Sequence, residues 1–223
     1  DDFVQKDRIS AENFRKIAIE CGVKKIIYLG GLGNKDKTTS THLSSRIETG
    51  EILSSELEKI DVIWFRAGVV IGSGSTSFEI IRNLVEKLPI MTTPKWVRTK
   101  AQSIGIDDVV HYLDEARKLG IQGSHIVDIG SDLLSYEQMM RQCAKYMGLT
   151  RMIIPVPFLS VGLSSYWLGL FTPVAFGVAR SLIKGLGSEV IVENNNAKIL
   201  FPDIFSSSFE QSVKKALREV EEN

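Results

Sequence analysis

Residues 24–33 read KKIIYLGGLG, residues 42–53 HLSSRIETGEIL and residues 62–72 VIWFRAGVVIG. An apolar run ending in glycines, apolar positions at helical spacing, and a second apolar run ending in glycine spell strand, turn, helix, strand, turn. Strands joined by a helical crossover pair in parallel, so the expected fold class is α/β, a Rossmann-like doubly wound parallel sheet. A sheet of this kind that holds a dinucleotide needs a first strand running into a glycine-rich turn and a helix N-terminus for the pyrophosphate. The residues ahead of Lys24 do not spell that unit. The expectation is half of a nucleotide-binding domain, incomplete at its N-terminus.

Further elements follow from the same spacing rules. Phe14, Ile17, Ala18 and Cys21 recur at helical intervals and Gly22 follows as a stop, which predicts a helix over 7–21 and then a strand over 25–29. Leu43, Ile47, Leu53, Leu57 and Ile60 mark one face of a second helix, with caps on offer at 39–41, and 62–70 reads as one apolar strand. Helices are expected over 78–88, closed by Pro89, and over 107–119 with Asp107 as N-cap, followed by a strand over 126–129. Ser135 and Gln138 form a capping box for a helix over 136–147, and Ser207 with Glu210 is read as the cap of a last helix. These elements divide the chain into a cofactor-binding unit over 1–130 and a smaller, mostly helical apolar C-terminal lobe over 131–223, partly interleaved with the first.

Composition narrows the class of partner. Among 223 residues, 27 Lys plus Arg balance 27 Asp plus Glu, so the net charge is zero and no field gathers polyanions. That argues against general nucleic-acid binding and favours small-molecule or protein partners. Cys21 and Cys143 have no second ligand at metal spacing, so neither a metal site nor a disulfide framework is expected, and the chain reads as cytoplasmic. No charged residue occurs between Met152 and Ala179, but Pro155, Pro157 and Pro173 interrupt any single spanning helix. Two ways of hiding this run stand open: a covered lobe or homodimer contact, and a peripheral membrane-surface contact through 158–179.

His42 and Arg46 lie four apart, on one face of the helix that follows a strand and its turn, beside the carboxyl edge where open α/β sheets bind ligands. Asp7, Ala11 and Asn13 in the first helix, Gly22-Val23-Lys24-Lys25 before the 26–31 strand, the His42 helix, the stretch from Arg66 to Gly72, and Ile106-Asp107-Asp108-Val109 together carry a resemblance. In order and spacing they resemble the atypical, extended branch of the short-chain dehydrogenase/reductase superfamily. Within it, the chain is similar to the NmrA-like group, which includes bacterial nucleoside-diphosphate-sugar epimerase-like proteins. Its C-terminal IIPVP, LSSYWLGLFTP and LFPDI segments resemble the same bacterial group.

The resemblance implies NAD or NADP as cofactor and oxidoreductase-like or epimerase-like chemistry on an unknown small molecule. Active members use a Tyr-x-x-x-Lys pair; here the corresponding slots hold His42 and Arg46. His42 can move protons near neutral pH, while Arg46 can orient a ribose or phosphate but cannot give up its proton. Gly30 and Gly31 stand where a catalytic serine is expected, on the cofactor side, and Ala67, Gly68 and Val69 are implied backbone contacts of the nicotinamide half. Trp96 and Arg98 fall beside the implied substrate cleft, with an exposed hairpin as the plainer reading. Arg66, a charge inside an apolar strand, requires a partner. The Gly72 to Ser77 turn lacks a third glycine and is read as a helix cap rather than a phosphate loop. Without the Tyr-x-x-x-Lys pair, a non-catalytic cofactor-binding sensor or assembly protein is the competing reading.

Overall fold

The computed structural model describes residues 2–33, 40–156 and 187–222. The 158–179 segment, with its membrane-surface or dimer expectation, lies outside the described residues. Elements run α1 (Asp2–Glu20), β1 (Lys25–Gly31), α2 (Thr41–Leu53), β2 (Asp61–Ala67), β3 (Val69–Ile71), α3 (Thr76–Lys87), β4 (Ile90–Thr93), a 3-10 turn (Lys95–Arg98), β5 (Lys100–Gly105) and α4 (Ile106–Lys118). They continue through β6 (Ser124–Ile129), β7 (Leu133–Ser135), α5 (Tyr136–Tyr146), β8 (Met152–Pro155), α6 (Asn196–Leu200) and α7 (Phe209–Glu221).

β1, β2 and β6 form a parallel sheet in the order β1-β2-β6, in which Gly30 registers with Arg66 and Arg66 with Asp128. Because side chains alternate, one face carries Ile26, Val62 and Trp64 and packs with Ala18 of α1 and Ile47 and Leu53 of α2. The other face carries Ile63, Phe65 and Val127 against Val109, Tyr112 and Ala116 of α4. Helices on both faces of a parallel sheet confirm the doubly wound α/β reading.

The apolar run expected as one strand over 62–70 is two strands. A Cβ on Gly68 would sit 2.3 Å from the Gln102 carbonyl oxygen, so only glycine lets β5 approach there. The chain turns at that point and β3 joins β5 in parallel, while β5 pairs antiparallel with β7. A third core, built from Phe78, Val85, Met139, Cys143, Phe209 and Val213, ties α3, α5 and α7 together beside this second sheet.

Three boundary expectations are corrected. The second helix stops at Leu53 rather than running to Ile60; the Ser54 amide closes it onto the Gly50 carbonyl at 3.0 Å. Gly105, not Asp107, is the N-cap of α4; Asp108 instead accepts from the Ser207 amide at 2.9 Å. Ser207 is thereby drawn away from helix capping, and the capping box of α7 moves one residue on, to Ser208 and Gln211. The Ser135 and Gln138 box forms as read from sequence. Among the described residues, no helix is long and apolar enough to cross a membrane.

Candidate functional site

The carboxyl ends of β1, β2 and β6 finish side by side. The Leu32 amide donates to the Ala67 carbonyl at 2.8 Å, and the Gly68 amide donates to the Ile129 carbonyl at 3.0 Å. Beyond β1 the chain turns through Gly33, whose φ of +152° suits glycine and whose Cβ would meet Leu43 Cδ2 at 2.6 Å. Ser40 then caps α2 by accepting the Leu43 amide, which sets His42 and Arg46 on successive turns beside this edge.

His42 stacks on Phe3 of α1, with ring centroids 5.9 Å apart and planes at 21°. Arg46 Nη2 pairs with Asp7 Oδ2 at 3.3 Å, and the Ser45 hydroxyl donates to that same oxygen at 2.8 Å. Partial burial lowers the His42 pKa, the Arg46 charge lowers it further and Asp7 opposes, so the neutral imidazole prevails near pH 7. The Tyr28 hydroxyl donates to the Arg46 carbonyl at 3.0 Å, and burial raises its pKa, leaving it a structural donor. Phe3 and Asp7, four apart on α1, were not singled out as site residues from the sequence. Their signal was this spacing, since residues four apart share a helix face.

Arg66 has the partner its burial demands. Its Nε donates to Asp128 Oδ1 at 2.6 Å and Nη2 to Oδ2 at 2.9 Å, with the Arg66 side chain 14% and the Asp128 side chain 0% exposed. Nη1 reaches the Gly33 carbonyl at 3.4 Å, and Asp128 Oδ2 also accepts the Glu193 amide at 2.9 Å. The partner that the sequence required of Arg66 is therefore Asp128.

Gly30 and Gly31 each have a packing reason: a Cβ on Gly30 would lie 2.9 Å from Trp64 Nε1, and one on Gly31 would lie 3.0 Å from Leu43 Cδ1. The Trp64 indole N–H is buried beside Gly30 and has no acceptor among the described residues. Ala67 and Gly68 already spend one carbonyl and one amide inside the fold, and Val69 packs on the third core. Arg98 lies in the 3-10 turn before β5, 68% exposed at its side chain, with its Nε 4.0 Å from Glu137. That turn replaces the hairpin considered from sequence; the Trp96 side chain falls outside the described residues. No described hydrogen bond or ion pair joins Arg98 to His42, Arg46 or Arg66. The Gly72 to Ser77 turn leads into α3 with Ser75 at the N-cap position, its hydroxyl donating to the Val70 carbonyl at 2.7 Å.

Two surface grooves lie elsewhere. One of about 260 Å³ is bordered by Gly72, Gly105, Asp107 and Lys215, and one of about 590 Å³ by Arg82, Tyr146 and Leu217. Neither touches the carboxyl edge of β1-β2-β6.

No family model matches the chain, and no curated protein matches it in sequence. Solved structures do match its fold. TunA, an NAD-dependent NDP-hexosamine 5,6-dehydratase involved in tunicamycin biosynthesis, aligns with a TM-score of 0.68 at 11% identity, over 97% of this chain and 70% of that one. UDP-glucose 4-epimerase from the hyperthermophile Thermotoga maritima, with UDP-glucose, aligns at 0.69 and 15%, over 98% and 70%. RMD from Pseudomonas aeruginosa, complexed with NADPH, aligns at 0.68 and 11%, over 99% and 74%. At these identities the shared property is the fold alone, a Rossmann-type α/β fold.

Proposed function

We propose that the protein binds NAD or NADP across the carboxyl edge of β1-β2-β6 and is an oxidoreductase-like or epimerase-like member of the short-chain dehydrogenase/reductase superfamily, of the NmrA-like group. The observation that carries this reading is the glycine turn after β1, at the carboxyl edge. Leu32 is 2% exposed and turned into the fold, and Gly33 is buried with it. The backbone of Gly30 and Gly31 is part-exposed at that edge, where a ligand can approach it without a side chain in between. Solved proteins of this fold named with NAD or NADPH support the choice of cofactor.

The cofactor would be held by the Gly30 to Gly33 turn and by the backbone at Ala67 to Val69. When bound, it supplies hydride transfer. His42, neutral at rest, accepts a proton from the substrate hydroxyl or returns one to a carbonyl. Arg46 keeps the positive charge near His42 and, held by Asp7, offers its remaining N–H groups to a ribose or phosphate oxygen. Trp96 and Arg98 are the proposed substrate contacts, reached from the amino end of β5. Titrating the full-length protein with NADH and following turnover of carbonyl substrates tests this reading. His42→Ala should abolish turnover and leave cofactor affinity within about twofold; turnover that survives the substitution contradicts the role.

A second reading, a non-catalytic NAD(P)-binding sensor or assembly protein, is favoured by the Arg46 and Asp7 pair, which engages the residue standing in the lysine slot. Cofactor binding that shifts affinity for a partner protein, with no turnover of any carbonyl substrate, selects it.

A further inference from the structure

The part-buried Arg66 is explained only in part by its pair with the buried Asp128. A buried ion pair contributes little net stability compared with a well-packed apolar pair of the same volume, so its use here calls for a task that apolar groups cannot perform. Leu or Met at position 66 would fill the space but could not donate to a carbonyl. The guanidinium does donate: two of its nitrogens hold both Asp128 oxygens, and the third faces the Gly33 carbonyl at 3.4 Å. Asp128 is fixed from behind by the Glu193 amide at 2.9 Å. Its own amide faces Asn194 Oδ1 at 3.4 Å.

The segment carrying Glu193 and Asn194 is itself sutured to the second sheet. Gln102 accepts the Val192 amide at Oε1 and donates from Nε2 to the Ser131 carbonyl at 3.0 Å. A continuous polar chain thus runs from this strap, through Asp128 and Arg66, to the turn after β1.

We propose that Arg66 is a positioning residue: the Asp128-anchored guanidinium sets the shape of the Gly31 to Gly33 turn, and with it the surface offered to the nicotinamide half of the cofactor. This rests on the cofactor reading above. Leu32 is held to Ala67 on one side of the turn and Gly33 to Arg66 on the other, so the turn has two pins of which Arg66 supplies the second. Lysine cannot replace it, because a single ammonium cannot hold both carboxylate oxygens and reach the carbonyl.

The test is made on the full-length protein with Arg66→Lys and with the double variant Arg66→Met/Asp128→Asn, which removes both buried charges together. Hydrogen exchange of the Leu32 amide reads the turn without any cofactor, and thermal unfolding reports the fold. NADH and ADP titrations separate the nicotinamide half from the adenosine half. The expected result is a rise of at least tenfold in Leu32 exchange, and an NADH affinity about tenfold weaker with ADP affinity unchanged, in a variant that still unfolds cooperatively. A merely structural Arg66 would weaken both nucleotides together. Unchanged Leu32 exchange in a folded variant overturns the proposal, and so does parallel loss of NADH and ADP. If the unaltered protein binds neither NADH nor NADPH, the cofactor reading fails, while Leu32 exchange still decides whether Arg66 holds the turn. Should the double variant fail to fold, Arg66→Lys, which keeps the charge, decides by the same two readouts.

Discussion

Gly50, inside α2, lies against the indole of Trp64: a Cβ at position 50 would sit 2.3 Å from Trp64 Cε2. This contact sets the height of α2 above the sheet, and α2 carries both His42 and Arg46. Glycine inside a helix normally costs about 1 kcal/mol relative to alanine. Here the sign reverses, because overpacking costs about 1–3 kcal/mol. Gly50→Ala should lower stability in urea denaturation, whereas a stabilised variant would show that α2 can shift.

Gly33→Ala should also destabilise, by about 1–3 kcal/mol, since both its backbone angle and Leu43 oppose a side chain. Truncating Leu43 in the same protein relieves the contact but not the angle, so rescue should be partial. Complete rescue would assign the whole cost to Leu43.

His42 makes stability pH-dependent in a defined direction. Its folded pKa lies below the ordinary 6.5, so below about pH 6.5 the unfolded chain binds a proton that the folded protein resists. Stability attributable to His42 is complete above that value and declines as pH falls through it towards the folded pKa. His42→Gln should flatten this part of the melting-temperature profile between pH 7 and pH 5. An unchanged slope would contradict the burial of the ring against Phe3.

Asp128→Ala leaves the part-buried Arg66 charge without its carboxylate partner, and should cost up to about 3–5 kcal/mol. Lys118, by contrast, pairs at the solvent-exposed surface with Asp114 and Glu115, and Lys118→Ala should leave stability nearly unchanged. Chemical denaturation of the two variants side by side checks the difference; equal effects would argue that the Arg66 pair is solvated.

The elements that were legible in the sequence are those whose signals are local. β1, the capping box at Ser135 and the α2 cap follow from runs and side chains within a few residues of one another. Leu57 and Ile60 continue the apolar spacing of α2 but lie past its end, because Ile60 belongs to the packing beneath the sheet rather than to the helix. The break at Gly68 depends on the backbone of Gln102, thirty-four positions away, and no local pattern encodes such an approach. At the candidate site, the His42 and Arg46 spacing was visible. Their partners Phe3 and Asp7 come from a different helix, and Asp128 reaches Arg66 only through strand register, so these depend on tertiary contact.

The measurement that bears most directly on the account is calorimetric titration of the full-length protein with NADH and, separately, NADPH. The account predicts saturable one-to-one binding of at least one of them. No heat of binding from either would contradict a cofactor site at the carboxyl edge of β1-β2-β6.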